Sequence, residues 1–241
     1  MYINLDRARD RDERMKAMLA SSFPGRTFER VSGVDGAFFP ENIKQHTGGP
    51  PGVNGCVASH VLCMMKLLES DDAHAVVLED DLSDEYVGYW TPFHWKLFDE
   101  GTDECDIVQM CCIGKYGGSL EKLERKGKNQ WSTVAYVVSR EGARRIVDVV
   151  RPDGGSELLL DLSKLDNPYA DNVLYRMCDT RILPMFTHTR ETYSYVSESA
   201  SRENKKYENW RVEIERMWKL VKENDVSTLG KPKHHRHNVR K

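Results

Sequence analysis

The sequence predicts an α/β domain in which a mostly parallel central sheet is sandwiched by helices. Short apolar, valine-rich runs alternate with segments whose apolar residues recur at helical spacing. The most apolar run, AVVLEDD, stops abruptly at three acids, as a buried strand does where it leaves the core. The 241 residues, 39% hydrophobic and 30% charged, are enough to bury a sizeable core and still present a well-solvated surface.

In chain order, Tyr2-Ile3-Asn4-Leu5 reads as a short buried strand. A charged helix follows from about Asp10 to Ala20, with Met15, Met18 and Leu19 on one side and Asp10 and Glu13 at capping-box spacing. TFERVSGVDG reads as a second strand ending in a glycine turn, and Gly36 to Asn54, with Gly48-Gly49-Pro50-Pro51-Gly52, as a loop. Val57, Val61, Met64, Met65 and Leu68 give one apolar helix face between Asn54 and Glu69. The AVVLEDD strand comes next, followed by strands at Asp106–Ile113 and Thr133–Val138. Ser139 can cap a helix to Val150 whose inner face is Ala143, Ile146, Val147 and Val150. A helix at Asp171–Cys178, a strand near Ile182–Phe186 and a last helix at Arg202–Lys222 complete the set.

In that last helix Tyr207, Trp210, Ile214, Met217 and Val221 form a heptad-like stripe that either packs on its own domain or forms a dimer seam. The expected organisation is one α/β domain over 1–200, a helix within 201–230 packed on it, and a disordered basic tail over 231–241. A monomer or weak dimer is expected.

The net charge of −3 argues against a general nucleic-acid binder, and the basic residues of KPKHHRHNVRK read as a solvated tail or a polyanion-binding arm. No apolar run approaches the roughly 20 residues that cross a bilayer, and MYINLDRARDRDER lacks a signal-peptide core. A cytoplasmic location is the expectation. The cysteines Cys56, Cys63, Cys105, Cys111, Cys112 and Cys178 show no C-x-x-C spacing and read as reduced thiols.

Chemistry is expected at Glu79, Asp80 and Asp81, because ligands of open α/β sheets bind beyond the carboxyl ends of the strands. Three adjacent carboxylates repel one another, and Mg²⁺ or Mn²⁺, which prefers oxygen ligands, offsets that repulsion. From the residues alone, an acidic turn facing water, or the metal site of a phosphohydrolase or nucleotidyltransferase, reads equally well.

Eight blocks extend the pattern across residues 2 to 199. They are YINLDRARDRDERM, RVSGVDG, NGCVASHVLCMMKLLES, VVLEDDL, DIVQM, STVAYVVSREGARRIV, ADNVLYRM and FTHTRETYSYVSES. In order and spacing they resemble glycosyltransferase family 25, which includes lipopolysaccharide sugar transferases and procollagen galactosyltransferases. The resemblance implies a GT-A, Rossmann-like fold, a nucleotide-sugar donor such as a UDP-sugar, a glycan or glycoconjugate acceptor, Mn²⁺ or Mg²⁺, and inversion at the anomeric carbon. Asn4, Leu5 and Arg7 then match the opening nucleotide-side motif, and Val34, Asp35 and Gly36 the second. Glu79, Asp80 and Asp81 match the acidic motif, with Asp81 first and Glu79 second as metal ligands and Asp80 on the donor side. His188 in FTHTRE, otherwise a histidine of a polar loop, becomes a third metal ligand, and the loop around it to Ser199 a cover for the diphosphate.

Asp171 matches the position of a base that takes the acceptor proton; from its spacing alone it is a helix cap. Tyr169-Ala170 before it and Asn172 after it depart from the family segment. Ser59 and His60, in the Gly55-Cys56 helix, either line the donor pocket or hold that helix against the first strand. Of the aromatics Tyr86, Tyr89, Trp90, Phe93, Trp95 and Trp131, most read as core, and Trp131 as the acceptor-side residue. Two rival readings remain open: a metal-dependent nucleotidyltransferase or phosphohydrolase, and a non-catalytic carbohydrate-binding protein of the same fold.

Overall fold

A computed structural model of the chain describes residues 1–152, 157–189, 211–221 and 223. Its elements are β1 (Tyr2–Asn4), α1 (Arg9–Ser22), β2 (Arg30–Ser32), β3 (Ile43–Lys44), α2 (Pro51–Glu69), β4 (His74–Glu79), β5 (Leu82–Ser83), α3 (Pro92–Glu100) and β6 (Ile107–Cys111). They continue with β7 (Glu124–Arg125), β8 (Ala135–Ser139), α4 (Arg140–Val150), β9 (Leu160–Asp161), α5 (Ala170–Met177) and β10 (Thr180–His188). A helix α6 covers residues 211–221.

The central sheet runs β2-β1-β4-β8-β6-β10-β5, with β7 also paired to β10. β1 is parallel to β2 and β4, and β6 is parallel to β10. β8 runs antiparallel between β4 and β6, and the short β5 and β7 run antiparallel to β10. The expected α/β sheet is therefore present but mixed, and β4 is parallel to its neighbour on one side only. β3 and β9 form a separate parallel pair.

Strand alternation divides the core into two layers. Tyr136 and Val138 of β8 face the layer built with α2, α4 and α5, and Ala135 and Val137 face the layer holding α1, α3 and α6. The predicted faces turn inward: Val57, Val61 and Met64 in α2 are buried, with Met65 and Leu68 partly so, and Ala143, Ile146, Val147 and Val150 in α4 are buried. Ser139 caps α4, accepting from the Gly142 N–H at 3.0 Å. Met15 and Leu19 anchor α1, but its N-cap is Ala8, with no side-chain cap, so the capping box expected at Asp10 and Glu13 does not form. The stretch expected to be a loop to Asn54 contains β3, and α2 already starts at Pro51, where the ring presets φ.

Tyr86 and Trp90 belong to an aromatic core with Phe23, Phe98 and Phe186, in which Phe23 stacks on Phe98 at 4.8 Å. α6 packs on the same core through Ile214 and Trp218, with Met217 and Val221 at its margin. Trp218 stacks on Tyr86 and donates its indole N–H to the Pro184 carbonyl at 2.9 Å. The described part of the stripe thus faces its own domain. Tyr207, Trp210, the loop to Ser199 and the basic tail lie outside the described residues. Among the described residues no helix is long and apolar enough to cross a membrane.

Truncating Trp218 removes a fully buried ring and orphans the Pro184 carbonyl. Trp218→Ala is expected to lower stability by about 3–5 kcal/mol in urea melts. An unchanged midpoint would mean that α6 does not dock on this core.

Candidate active site

The sheet has one topological switch point on its parallel side. From β1 the chain passes through α1 to β2 on one flank, then through α2 to β4 on the other. The carboxyl ends of β1 and β4 therefore part outward and leave a crevice, the place where open α/β sheets bind ligands. A cleft of about 650 Å³ opens there, within the range of small-molecule sites. Asn4, Leu5, Arg7, Val34, Asp35, Gly36, Ser59, His60, Glu79 and Asp80 all line it, so every predicted nucleotide-side residue is brought to one place.

The cleft floor depends on close backbone packing. A Cβ on Gly36 would lie 2.4 Å from the Pro51 carbonyl carbon, and one on Gly55 would lie 2.4 Å from the Val34 oxygen. Only glycine lets the 34–36 turn rest on the first turns of α2. Ser59 secures that contact, accepting from the Val34 N–H at 2.8 Å and donating to the Gly55 carbonyl at 2.7 Å. Ser59 thus both lines the cleft and holds its wall. Across the mouth, Arg7 meets Asp35 at 2.5 Å. The Ala37 N–H and Arg7 together hold the Asp35 carboxyl below its usual range.

The three consecutive acids leave β4 toward three different partners. Asp80 accepts from Asn4 Nδ2 at 2.7 Å and pairs with Arg11 at 2.8 Å. Burial nevertheless raises its pKa, with Arg11 and Asn4 working against the rise. Glu79 accepts from Thr133 Oγ1 at 2.6 Å and lies 3.3 Å from His60 Nε2, while His60 Nδ1 is 3.0 Å from the Tyr136 hydroxyl. Asp81 Oδ2 lies 3.3 Å from His188 Nδ1. The structure therefore unites Asp81 with His188 and does not place Glu79 with them. Among the described residues no three His, Cys, Asp or Glu side chains converge on one point. Asp81 and His188 supply donor types that a divalent cation takes, one hard oxygen and one imidazole, with Nδ1 here facing Asp81 and Nε2 facing Ser132.

Ser132 is the junction the sequence reading missed. Its φ of +113° is the one positive value among the described non-glycine residues, a conformation that costs on the order of 1–3 kcal/mol and persists only where surroundings enforce it. Here they do. Its N–H donates to Asp171 Oδ1 at 2.6 Å, and its Oγ lies 2.9 Å from His188 Nε2. Its carbonyl accepts from the Tyr175 hydroxyl at 2.5 Å and from Gln109 Nε2 at 3.3 Å. No motif or periodicity marks such a serine; its signal is the backbone itself.

Asp171 is not the cap of α5. That place belongs to Tyr169, and Asp171 sits in the first turn with its carboxylate directed to Ser132. Oδ1 is anchored, whereas Oδ2 makes no hydrogen bond to a described residue. Burial raises its pKa, opposed by the Ser132 N–H. Cys56, in the cleft wall, feels Glu79, Asp171 and Asp81 together, and burial and these charges push its thiol well up. Glu79 lines the cleft beside Cys56, whereas Asp81 and Asp171 lie near that wall without lining the cleft. Trp131, next to Ser132, is half-buried and bridged to Ile113, with the Lys126 ammonium 5.2 Å from its ring centre.

Set against known proteins, the chain matches no protein-family model and no curated protein.

The raised pKa of Asp171 means that the folded protein binds this proton more tightly than the unfolded chain. The ionised carboxylate is therefore a burden at neutral pH, relieved as pH falls through the raised pKa. Asp171→Asn keeps the acceptor for Ser132 and removes the charge. It is expected to gain about 1 kcal/mol at pH 7, a gain that closes toward the ordinary carboxylate pKa of about 4. Urea melts at both pH values check it; a variant less stable at pH 7 contradicts it.

Proposed function

We propose that the protein is an inverting, metal-dependent glycosyltransferase of GT-A type that moves a sugar from a nucleotide-sugar, a UDP-sugar, to an acceptor hydroxyl on a glycan. The observation that carries this reading is a single relay next to the switch-point cleft, joined to its lining residue Glu79 through Thr133. Asp81 faces His188, His188 meets Ser132, and Ser132 holds Asp171 with one carboxylate oxygen open. Leaving-group and acceptor chemistry thus sit on two ends of one rigid turn. The family resemblance of the eight sequence blocks supports the same assignment.

In this mechanism the nucleotide lies in the cleft between the β1 end and the 34–36 turn. Asp35 is kept ionised and oriented by Arg7 and Ala37, and so presents fixed acceptors for ribose or base hydrogen-bond donors. Arg11 and Asn4 tie Asp80 into the floor. Asp81 and His188 would hold the Mn²⁺ or Mg²⁺, whose contribution is to offset negative charge on the departing diphosphate. Asp171 Oδ2 takes the proton of the acceptor hydroxyl as that oxygen attacks the anomeric carbon opposite the leaving group. A desolvated carboxylate with a raised pKa is a stronger base than one in water. The bond formed is acceptor oxygen to anomeric carbon, and the bond broken is anomeric carbon to diphosphate oxygen. Its electron pair leaves on the nucleoside diphosphate.

Asp81→Ala is expected to lower Mn²⁺-dependent UDP affinity at least tenfold in calorimetry and to abolish sugar transfer, with its melting profile retained. Unchanged Mn²⁺-dependent UDP binding would remove Asp81 from the site. Phosphate release without any acceptor sugar would instead indicate a phosphohydrolase.

A further inference from the structure

Lys126 is a half-buried cation that the mechanism does not use. It follows β7 at the end of a segment, residues 114–130, in which Lys115, Lys122, Arg125, Lys126 and Lys128 outnumber Glu121 and Glu124. Its ammonium lies 5.2 Å from the Trp131 ring centre and 5.0 Å from that of Tyr175. Cation–π contacts of this kind hold a charge in place, but they replace only part of the water it gives up. The one hydrogen bond that the ammonium makes among the described residues goes to the carbonyl of its neighbour Gly127, at 3.2 Å. Burial lowers its pKa, Asp171 works against that fall, and Arg176 adds to it. Lys126 and Asp171 therefore sense each other without forming an ion pair among the described residues.

A charge in this setting carries a desolvation penalty that the two rings and Asp171 offset only in part. Arg176, five residues beyond Asp171 on α5, adds a second positive charge that increases it. Tyr175 locks the arrangement, because its hydroxyl also donates to the Ser132 carbonyl. The cation thus rests on the same rigid turn that anchors Asp171. It stands to the acceptor side, beside Trp131, and does not line the switch-point cleft.

We infer that Lys126, seated on Trp131 and Tyr175, is the recognition group for an oxyanion on the acceptor, so that the preferred acceptor is an acidic sugar bearing a carboxylate or phosphate. This rests on the glycosyltransferase reading of the cleft. One hydroxyl of such an acceptor faces Asp171 Oδ2 while its anionic group meets the ammonium. A charge-assisted hydrogen bond to an anion removes the penalty that the free protein carries. It also separates the acceptor's own charge from Asp171, which would otherwise repel it.

The test uses the full chain with UDP and Mn²⁺ and matched glycosides: 4-nitrophenyl β-glucuronide, 4-nitrophenyl glucoside 6-phosphate and the neutral 4-nitrophenyl β-glucoside. Affinities are read by saturation-transfer NMR competition. The wild type is expected to bind one or both acidic glycosides about tenfold tighter than the neutral one. Comparing the two acidic probes shows whether carboxylate or phosphate is preferred. Lys126→Gln should lose the preference, and Lys126→Arg should keep most of it. UDP affinity, measured on the same samples, should be the same in all three proteins. Equal binding of acidic and neutral glycosides by the wild type, or binding of none, overturns the inference, as does a preference that survives Lys126→Gln. Loss of UDP binding in the wild type is a separate outcome that overturns the cleft assignment, since the glycoside preference is also read without nucleotide.

Discussion

The interaction on which the site depends is the mutual repulsion of Glu79, Asp80 and Asp81. Two unit charges about 6 Å apart at an effective dielectric of about 20 repel by about 3 kcal/mol, and β4 delivers three of them to the rim of a buried sheet. The fold resolves this by sending each acid to a different neighbour. β1 and α1 take Asp80 through Asn4 and Arg11, α2 and the start of β8 take Glu79 through His60 and Thr133, and the end of β10 takes Asp81 through His188. Charge separation thereby fixes which acid does what. Asp80 is structural glue for the cleft floor, Glu79 ties α2 to the sheet through His60, and Asp81 faces His188 at the end of β10.

A second constraint follows from β8. Because this strand runs antiparallel between β4 and β6, the segment that leads into it, with Ser132 and Thr133, lies at the carboxyl end of the parallel strands. Thr133 reaches Glu79 and Ser132 reaches both Asp171 and His188. An all-parallel sheet would bring a strand terminus of the other polarity to this end. The positive φ of Ser132 is the local strain that lets its N–H and its hydroxyl point at Asp171 and His188 at once. Gln109, buried in β6, stabilises the same turn by donating to the Trp131 and Ser132 carbonyls.

Much of this was legible in the residues, and the parts that were not have physical reasons. The apolar faces of α2 and α4 and the Ser139 cap follow from periodicity and local hydrogen bonding, which neighbouring elements do not alter. Asn4, Asp35, Gly36, Ser59 and Asp80 were assigned to one donor side by what the family resemblance implies, and the fold brings them to one cleft. The antiparallel run of β8 was not legible, since an apolar run such as AYVV carries no mark of direction. Nor was the departure of Glu79 from Asp81, because sequence adjacency says nothing of which side chains share a face or a partner. Asp171 looked like a cap from its position before Val173 and Leu174, yet tertiary contact with Ser132 redirected its carboxylate. Ser132 itself had no signal, for a strained φ is imposed by contacts remote in sequence.

The most direct test of a donor site at the β1/β4 switch point is hydrogen–deuterium exchange with and without UDP and Mn²⁺. Protection is expected at residues 4–7, 34–37 and 79–81, with the opposite, amino-terminal end of the sheet around residues 73–76 unchanged. No protection at any of the three cleft segments, or protection confined to that opposite end, would contradict it.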